Sequence, residues 1–321
     1  MRAERLDRET RVLLEEALRR GESCSLRLKG TFPRKLRAEQ VVPWFDAVDA
    51  RSPELTEALR HHLPVAGRER TQTRVTAVIP TNRGTPIGLH ALHEQDVDVE
   101  VLVLANGDAQ PQGDRVLRVP WTGHGPVRQR GVEAAEGEYI LFTVDDALPR
   151  GRGCVRALIE ALEEGGYDAV FGRQVPWPTT DVVTTRRLQD HTPPGQGHWR
   201  VDRLDHVFAL YRRETLLQAP VPSVPIGEDL HWSPGRRIGY VPGATVLHAH
   251  VRRPGELYRR TRDLHVQHHL LGDAPTVPSL AALTSALPGV LRPVLRAGVG
   301  ELPNQLAELF GQYRAARMTR R

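Results

Sequence analysis

Two adjacent carboxylates, Asp145-Asp146, end an apolar run, and a second acidic pair, Glu228-Asp229, stands further along the chain. Two more polar clusters, Thr81-Asn82-Arg83 and Asn106-Gly107-Asp108, close apolar runs in the same manner. Carboxylates gathered at strand ends repel a phosphate-bearing ligand unless a divalent cation lies between them. That residue pattern points to a site for a nucleotide phosphate and a metal. A different chemistry is offered by His248 and His250, followed by His265, His268 and His269 at i, i+3 and i+4. Such spacing suits zinc and hydrolysis, although HExxH is absent and arginines surround the cluster. Other chemistries are excluded by what is missing. Only Lys29 and Lys35 are lysines among 44 basic residues, so neither a Gly-Lys-Ser/Thr phosphate loop nor a Schiff-base lysine is expected. Two cysteines, Cys24 and Cys154, give no disulfide framework and no metal knuckle.

The elements that must position these groups follow from periodicity. Strands are expected over 75–79, 99–104, 116–119, 138–144 and 168–171, with helices over 86–95, 126–135 and 152–164 between them. In the last helix Val155, Leu158, Ala161 and Leu162 share one face. Short apolar strands alternating with helices build a parallel sheet with right-handed crossovers. Ligands of such sheets bind at the carboxyl ends of the strands, where the polar clusters fall. No GxGxxG follows the first strand, which disfavours a dinucleotide site. Glu228-Asp229 opens a short helix, and His248 and His250 alternate on a strand.

The chain has 321 residues, 40% hydrophobic and 26% charged, an ordinary globular balance. Its net charge of +5 is unevenly spread: residues 71–251 are acidic, and the flanks 1–70 and 252–321 are basic. With 5% aromatic residues and no basic-aromatic interleaving, nucleic acid is not an expected partner. The charged N-terminus lacks a signal peptide's apolar core, and residues 280–295 are too broken to span a bilayer. A cytoplasmic protein is expected. In the last helix Leu302, Leu306, Leu309, Phe310 and Tyr313 form a stripe, with Arg314, Arg317, Arg320 and Arg321 beyond it. That helix suits either peripheral contact with an anionic membrane, or packing against the rest of the protein or a second copy.

Several segments, taken in order, resemble family 2 glycosyltransferases of the GT-A fold. They are Val78-Ile-Pro-Thr-Asn-Arg83, Gln95, Val101-Leu-Val-Leu-Ala-Asn-Gly107, Arg128-Gln-Arg-Gly131 and Ala134 to Asp146, which reads Ala-Ala-Glu-Gly-Glu-Tyr-Ile-Leu-Phe-Thr-Val-Asp-Asp. Tyr211-Arg-Arg-Glu-Thr215, Gly227-Glu-Asp-Leu230 and Gly239 to His248 complete the series. The resemblance covers about residues 74–250, and rhamnosyltransferase-like members look nearest. Four features depart from the family pattern: Pro80-Thr-Asn-Arg83 lacks a residue, often aromatic, usual before the Asn, Asn106 replaces a frequent acidic residue, Val144 takes the first place of the DxD motif, and Gln129 follows Arg128.

The resemblance implies an α/β fold: a GT-A-like, Rossmann-type, mostly parallel sheet flanked by helices, with helical N- and C-terminal extensions. The glycosyltransferase domain would span 71–251, after an appendage over 1–70 and before a helical tail over 252–321. It implies inverting, metal-dependent transfer of a sugar from a nucleotide diphosphate donor to a hydroxyl on a glycan, a lipid-linked molecule, a natural product or a protein. Asp146 and His248 would hold Mg²⁺ or Mn²⁺. Thr81, Asn82, Arg83, Asn106, Arg128 and Asp145 would bind the donor. Asp229 would be the base, and Glu228 would orient the acceptor or the loop. Trp121, Trp177, Trp199 and Trp232 are candidate sugar platforms, Trp232 first. Each acidic pair also suits plain helix capping. Two other readings stand beside the transferase: a catalytically degenerate binding or scaffold subunit, and a zinc hydrolase built on the cluster from His248 to His269.

Overall fold

A computed structural model describes residues 71–176, 182–248, 253–273, 277–297 and 302–319. The expected helical extension over 1–70 lies outside them, as do Trp177, His250, Arg320 and Arg321. Strand β1 (Thr71–Thr81) pairs in parallel with β2 (Val97–Ala105) and β4 (Tyr139–Thr143), and β2 pairs in parallel with β3 (Arg115–Arg118). Alternation along these strands divides the core in two. Val75, Ala77, Ile79, Val99, Val101, Val103 and Leu141 face one layer, while Val78, Leu102, Leu104, Ile140 and Phe142 face the other. A strand buried on both faces reads as a continuous apolar run, which is why these strands were legible in the sequence.

Helices cover both faces. After α1 (Leu89–His93) and α2 (His124–Ala134), α3 (Cys154–Gly165) buries Val155, Leu158 and Leu162 in the first layer. Val127 and Val132 of α2 enter the second. A β-carbon at Gly131 would lie 2.3 Å from Val78, so glycine sets how closely α2 approaches the sheet. Gln95 is buried, and its side-chain carbonyl oxygen accepts the Val155 N–H at 3.1 Å, satisfying one donor in the first turn of α3 that has no partner within the helix.

The sheet continues past β4; of the strands that follow, the periodicity placed the one expected over 168–171 and gave bounds to none of the others. Chain order brings β5 (Leu148–Pro149), β6 (Ala169–Val175), β7 (Trp199–Val201), β8 (Phe208–Arg212) and β9 (Ile238–Leu247). Among the described residues they form one nine-stranded sheet, ordered β3-β2-β1-β4-β8-β6-β9-β5, with β7 also paired to β9. β8 is antiparallel to both β4 and β6, and β9 runs parallel to β6. β1, β4, β6 and β9 therefore end at one edge. Thr81, Asp145, Gln174 and His248 gather there. The fold is α/β with a mostly parallel central sheet flanked by helices, as the sequence predicts. The remaining helices are α4 (Val182–His191), α5 (Arg213–Gln218), α6 (Glu228–Trp232), α7 (Pro254–Leu270), α8 (Leu280–Ala297) and α9 (Leu302–Met318).

The apolar stripe of α9 is largely spent on packing. Leu302, Leu306, Leu309 and Tyr313 meet Val277, Ala282, Leu283 and Ala286, while Phe310 is exposed. On another side a β-carbon at Gly311 would lie 2.9 Å from the Tyr258 carbonyl oxygen, so α9 also lies close against α7. Among the described residues no helix is long and apolar enough to cross a membrane.

The register of β6 against β9 shifts between Gly172 and Arg173, just before Gln174 meets Val246. A β-carbon at Gly172 would sit 2.2 Å from the Ala244 carbonyl oxygen, a backbone atom with little room to yield. Gly172→Ala should therefore lower stability by about 1–3 kcal/mol, the usual cost of overpacking. Urea unfolding checks this, and an unchanged midpoint would show that the shifted register absorbs the methyl.

Candidate active site

Asp145 and Asp146 occupy the turn after β4, as the sequence requires. The buried Thr81 hydroxyl donates to Asp145 Oδ2 at 2.7 Å. Arg83, two residues past Thr81, reaches both carboxylates: Nη1 lies 3.3 Å from Asp146 Oδ2 and Nε 3.8 Å from Asp145 Oδ2. Burial and the neighbouring Asp146 charge raise the Asp145 pKa, with Thr81 and Arg83 opposing them. Such a pair gains from added positive charge.

His248 stands directly after β9, its Nε2 3.5 Å from Asp146 Oδ1. The structure thus joins the two expected metal ligands from distant segments. A carboxylate beside an imidazole suits Mn²⁺ better than Mg²⁺, which prefers oxygen ligands. Among the described residues no three His, Cys, Asp or Glu side chains converge as a metal set. A cation here would complete its coordination from the ligand. The histidines of α7 are engaged elsewhere: His268 with Asp273 at 2.7 Å and His269 with Thr319 at 2.9 Å. Ring centroids of His265 and His269 are 6.4 Å apart. The described residues therefore give the zinc reading no support.

Of the other expected donor residues, Asn82 and Arg83 are exposed at the end of β1, whereas Asn106 is buried. The Asn106 amide nitrogen donates to the Leu104 and Thr81 carbonyls at 2.9 and 3.2 Å. Among the described residues its Oδ1, which is buried, meets no hydrogen-bond partner. Arg128 lies elsewhere. It is buried on α2, with Nη1 2.6 Å from Glu228 Oε1 at the start of α6. The same oxygen pairs with His206 Nδ1 at 3.0 Å, and His206 Nε2 meets the Tyr211 hydroxyl at 2.5 Å. Burial alone would raise the Glu228 carboxyl, but Arg128 and His206 outweigh it and hold it well below the ordinary carboxylate value. Of the two roles expected for Glu228, this enclosure matches holding the loop.

Asp229 is half-buried beside it and accepts the Leu230 N–H at 2.9 Å. Burial raises its pKa; His206 opposes the rise, while the Glu228 and Asp205 carboxylates add to it. A carboxylate made more basic in this way is suited to take a proton. The Asp205 carboxylate also acts on Asp229 and meets Gln174, which in turn meets His248, so Asp229 and the Asp146–His248 pair belong to one neighbourhood. Helix α7 bounds that neighbourhood: Glu256 acts on Arg83, Arg260 acts on His124, and Leu264 and Gln267 pack at Gly227. These four positions follow helical spacing and lie on one face.

Trp232 corrects the sequence reading. It is 3% exposed, its indole N–H donates to the Ala219 carbonyl, and Arg236 covers its ring, so it packs the core instead of stacking on a sugar. Trp121 is 55% exposed, edge-on to His124. Asp205, His206 and Gln174 escaped the sequence reading, since nothing in their local spacing marks them.

Residues 95–217 match the family model described as Glycosyl transferase family 2. Among solved structures the chain is similar to the mannosyltransferase PcManGT from Pyrobaculum calidifontis in complex with GDP-Man and Mn²⁺. That match has 18% identity, covers 88% of this chain and 99% of that one, and has a TM-score of 0.52. S. aureus TarS 1-349 in complex with UDP-GlcNAc matches at 15% identity over 75% of this chain and 91% of that one, with a TM-score of 0.40. No curated protein matches the chain. The family 2 glycosyltransferase resemblance is thus shown, on a sheet of GT-A type.

Glu228→Gln should lower stability by about 3 kcal/mol, because it leaves the buried Arg128 charge uncompensated. A depressed folded-state pKa gives stability that is present above the unfolded value of 4.5 and lost as pH falls through the folded value. Urea unfolding across the acid range should therefore show that Glu228→Gln removes this part of the pH dependence. Equal acid sensitivity in both proteins would contradict the role of the pair.

Proposed function

We propose that this chain transfers a sugar, with inversion, from a nucleotide diphosphate donor to an acceptor hydroxyl, in a reaction that needs a divalent cation. The observation that carries the reading is the approach of Asp146 Oδ1 to His248 Nε2 at 3.5 Å, beside a carboxylate that feels the charge of a neighbour. Asp146 and His248 would hold Mn²⁺ or Mg²⁺, which when bound neutralises the charge on the departing diphosphate. Thr81 and Arg83 fix the two aspartates, and Asn82, Arg83 and Asn106 stand where a nucleotide base would enter. That the similar mannosyltransferase is a complex with GDP-Man and Mn²⁺ supports a nucleotide-sugar donor and a divalent cation here.

Asp229 takes the proton from the acceptor hydroxyl as the acceptor oxygen bonds to the sugar carbon and the nucleoside diphosphate departs. Arg128, His206 and Glu228 hold the start of α6 so that Asp229 is presented at the crevice. The acceptor class stays as broad as a glycan, lipid, natural product or protein hydroxyl. Residues 71–251 would form the catalytic domain, with 1–70 and 252–321 as flanking extensions.

Asp146→Ala should reduce nucleotide-diphosphate affinity and turnover together. Asp229→Asn should leave affinity nearly unchanged and reduce turnover by about a hundredfold or more. Nucleotide titration with Mn²⁺, beside a transfer assay, separates the two. Full turnover in Asp229→Asn sinks the base assignment, and nucleotide binding without turnover in the unaltered protein favours a scaffold subunit.

The pH profile gives a further test. A base must be deprotonated, so turnover should rise with pH through a midpoint above the ordinary aspartate value of 3.8. That limb should vanish in Asp229→Asn.

A further inference from the structure

The orientation of the His248 ring is set by a buried chain of hydrogen bonds that begins on α4. Asp205 Oδ1 accepts the Val207 N–H at 2.9 Å, and Oδ2 lies 3.0 Å from His191 Nε2 and 2.6 Å from Gln174 Nε2. A carboxylate that gathers three nitrogen groups acts as acceptor, so the Gln174 amide must turn its NH₂ towards Asp205. Its carbonyl oxygen then faces His248, and Oε1 lies 2.8 Å from Nδ1. A carbonyl oxygen can only accept, so Nδ1 carries the hydrogen. In the neutral ring Nε2 then turns its lone pair towards Asp146.

The opposite tautomer would place an N–H against the Asp146 carboxylate and close the pair on itself. Gln174 is poorly placed to allow that. The Thr192 hydroxyl donates to its backbone carbonyl at 3.1 Å, and the His248 N–H donates to the carbonyl of the next residue, Val175, at 2.9 Å. Both ends of the Gln174–His248 contact are thereby tied to β6.

We propose that Gln174 and Asp205 are positioning residues that lock His248 as its Nδ1–H tautomer, so that Nε2 and Asp146 together form a cation-binding pair. The second half rests on the reading of Asp146 and His248 given above; the first half does not. Hydrogen bonds behind a metal-binding histidine fix its tautomer and orientation, and losing them costs about 10–100-fold in metal affinity.

The lock can be read without any metal. Nitrogen-15 spectra of histidine-labelled protein, taken well above the ordinary histidine pKa of about 6.5, report which ring nitrogen is protonated. The His248 signals are assigned by their loss in His248→Gln. The unaltered protein should show Nδ1 protonated and Nε2 bare. Gln174→Leu should shift His248 towards the other tautomer, and Asp205→Asn, which lets the Gln174 amide turn, should give a mixture even if the leucine variant folds poorly. Mn²⁺ titration with nucleoside diphosphate, followed by paramagnetic resonance, should show 10–100-fold weaker binding in the same variants. An Nε2–H ring in the unaltered protein, or an unchanged tautomer in both variants, overturns the proposal. A changed tautomer with undiminished Mn²⁺ binding upholds the lock and removes His248 from the cation site.

Discussion

Arg128 and Glu228 meet 2.6 Å apart where neither charge reaches water, and the position of the short helix that carries Asp229 depends on that meeting. A lone buried charge is costly, so each residue makes the other tolerable, and the pair holds only while α2 and α6 stay together. His206 takes the same carboxylate oxygen and passes the connection to Tyr211 of β8. The network therefore ties a helix, a strand and a short helical turn to one point. A five-residue helix such as α6 has little stability of its own. This tether holds it in place.

At the other side of the crevice the problem is reversed. Asp145 and Asp146 are like charges placed side by side, only partly offset by Arg83, and burial sharpens their repulsion. The glutamate beside Asp229 is thus neutralised from within the protein, while the Asp145-Asp146 pair remains able to gain from a cation. Two acidic pairs that look equivalent in the sequence end in opposite electrostatic situations. The difference lies in the cations that the fold delivers, a buried Arg128 for one and an exposed Arg83 for the other.

In the first half of the sheet β1, β2 and β4 were readable because they are largely buried on both faces and so appear as apolar runs. The second half was harder. Phe208-Ala-Leu-Tyr211 is a short apolar stretch that periodicity cannot assign, and β8 owes its strand conformation to insertion between β4 and β6. The α9 stripe was visible, but its partner was not: the side chains that cover it come from the segment 277–286. Trp232 shows the same limit, since its type suggested a sugar platform while its surroundings made it core.

The sequence by itself determined which groups stand at the carboxyl ends of strands, because strand ends and polar turns are local features. Asp145, Asp146, Thr81 and Arg83 were legible for that reason, and the acidic pair at 228–229 was legible as the start of a helix. Tertiary structure alone decided that Arg128 belongs to Glu228 and that His248 meets Asp146. It also decided that Gln174 and Asp205 stand behind that histidine. These contacts join residues 31 to 102 positions apart through antiparallel and crossover pairings, so no local spacing carries them. Burial and the neighbouring charges, which lower the pKa of Glu228 and raise that of Asp229, are likewise properties of the packed chain and not of the residue type.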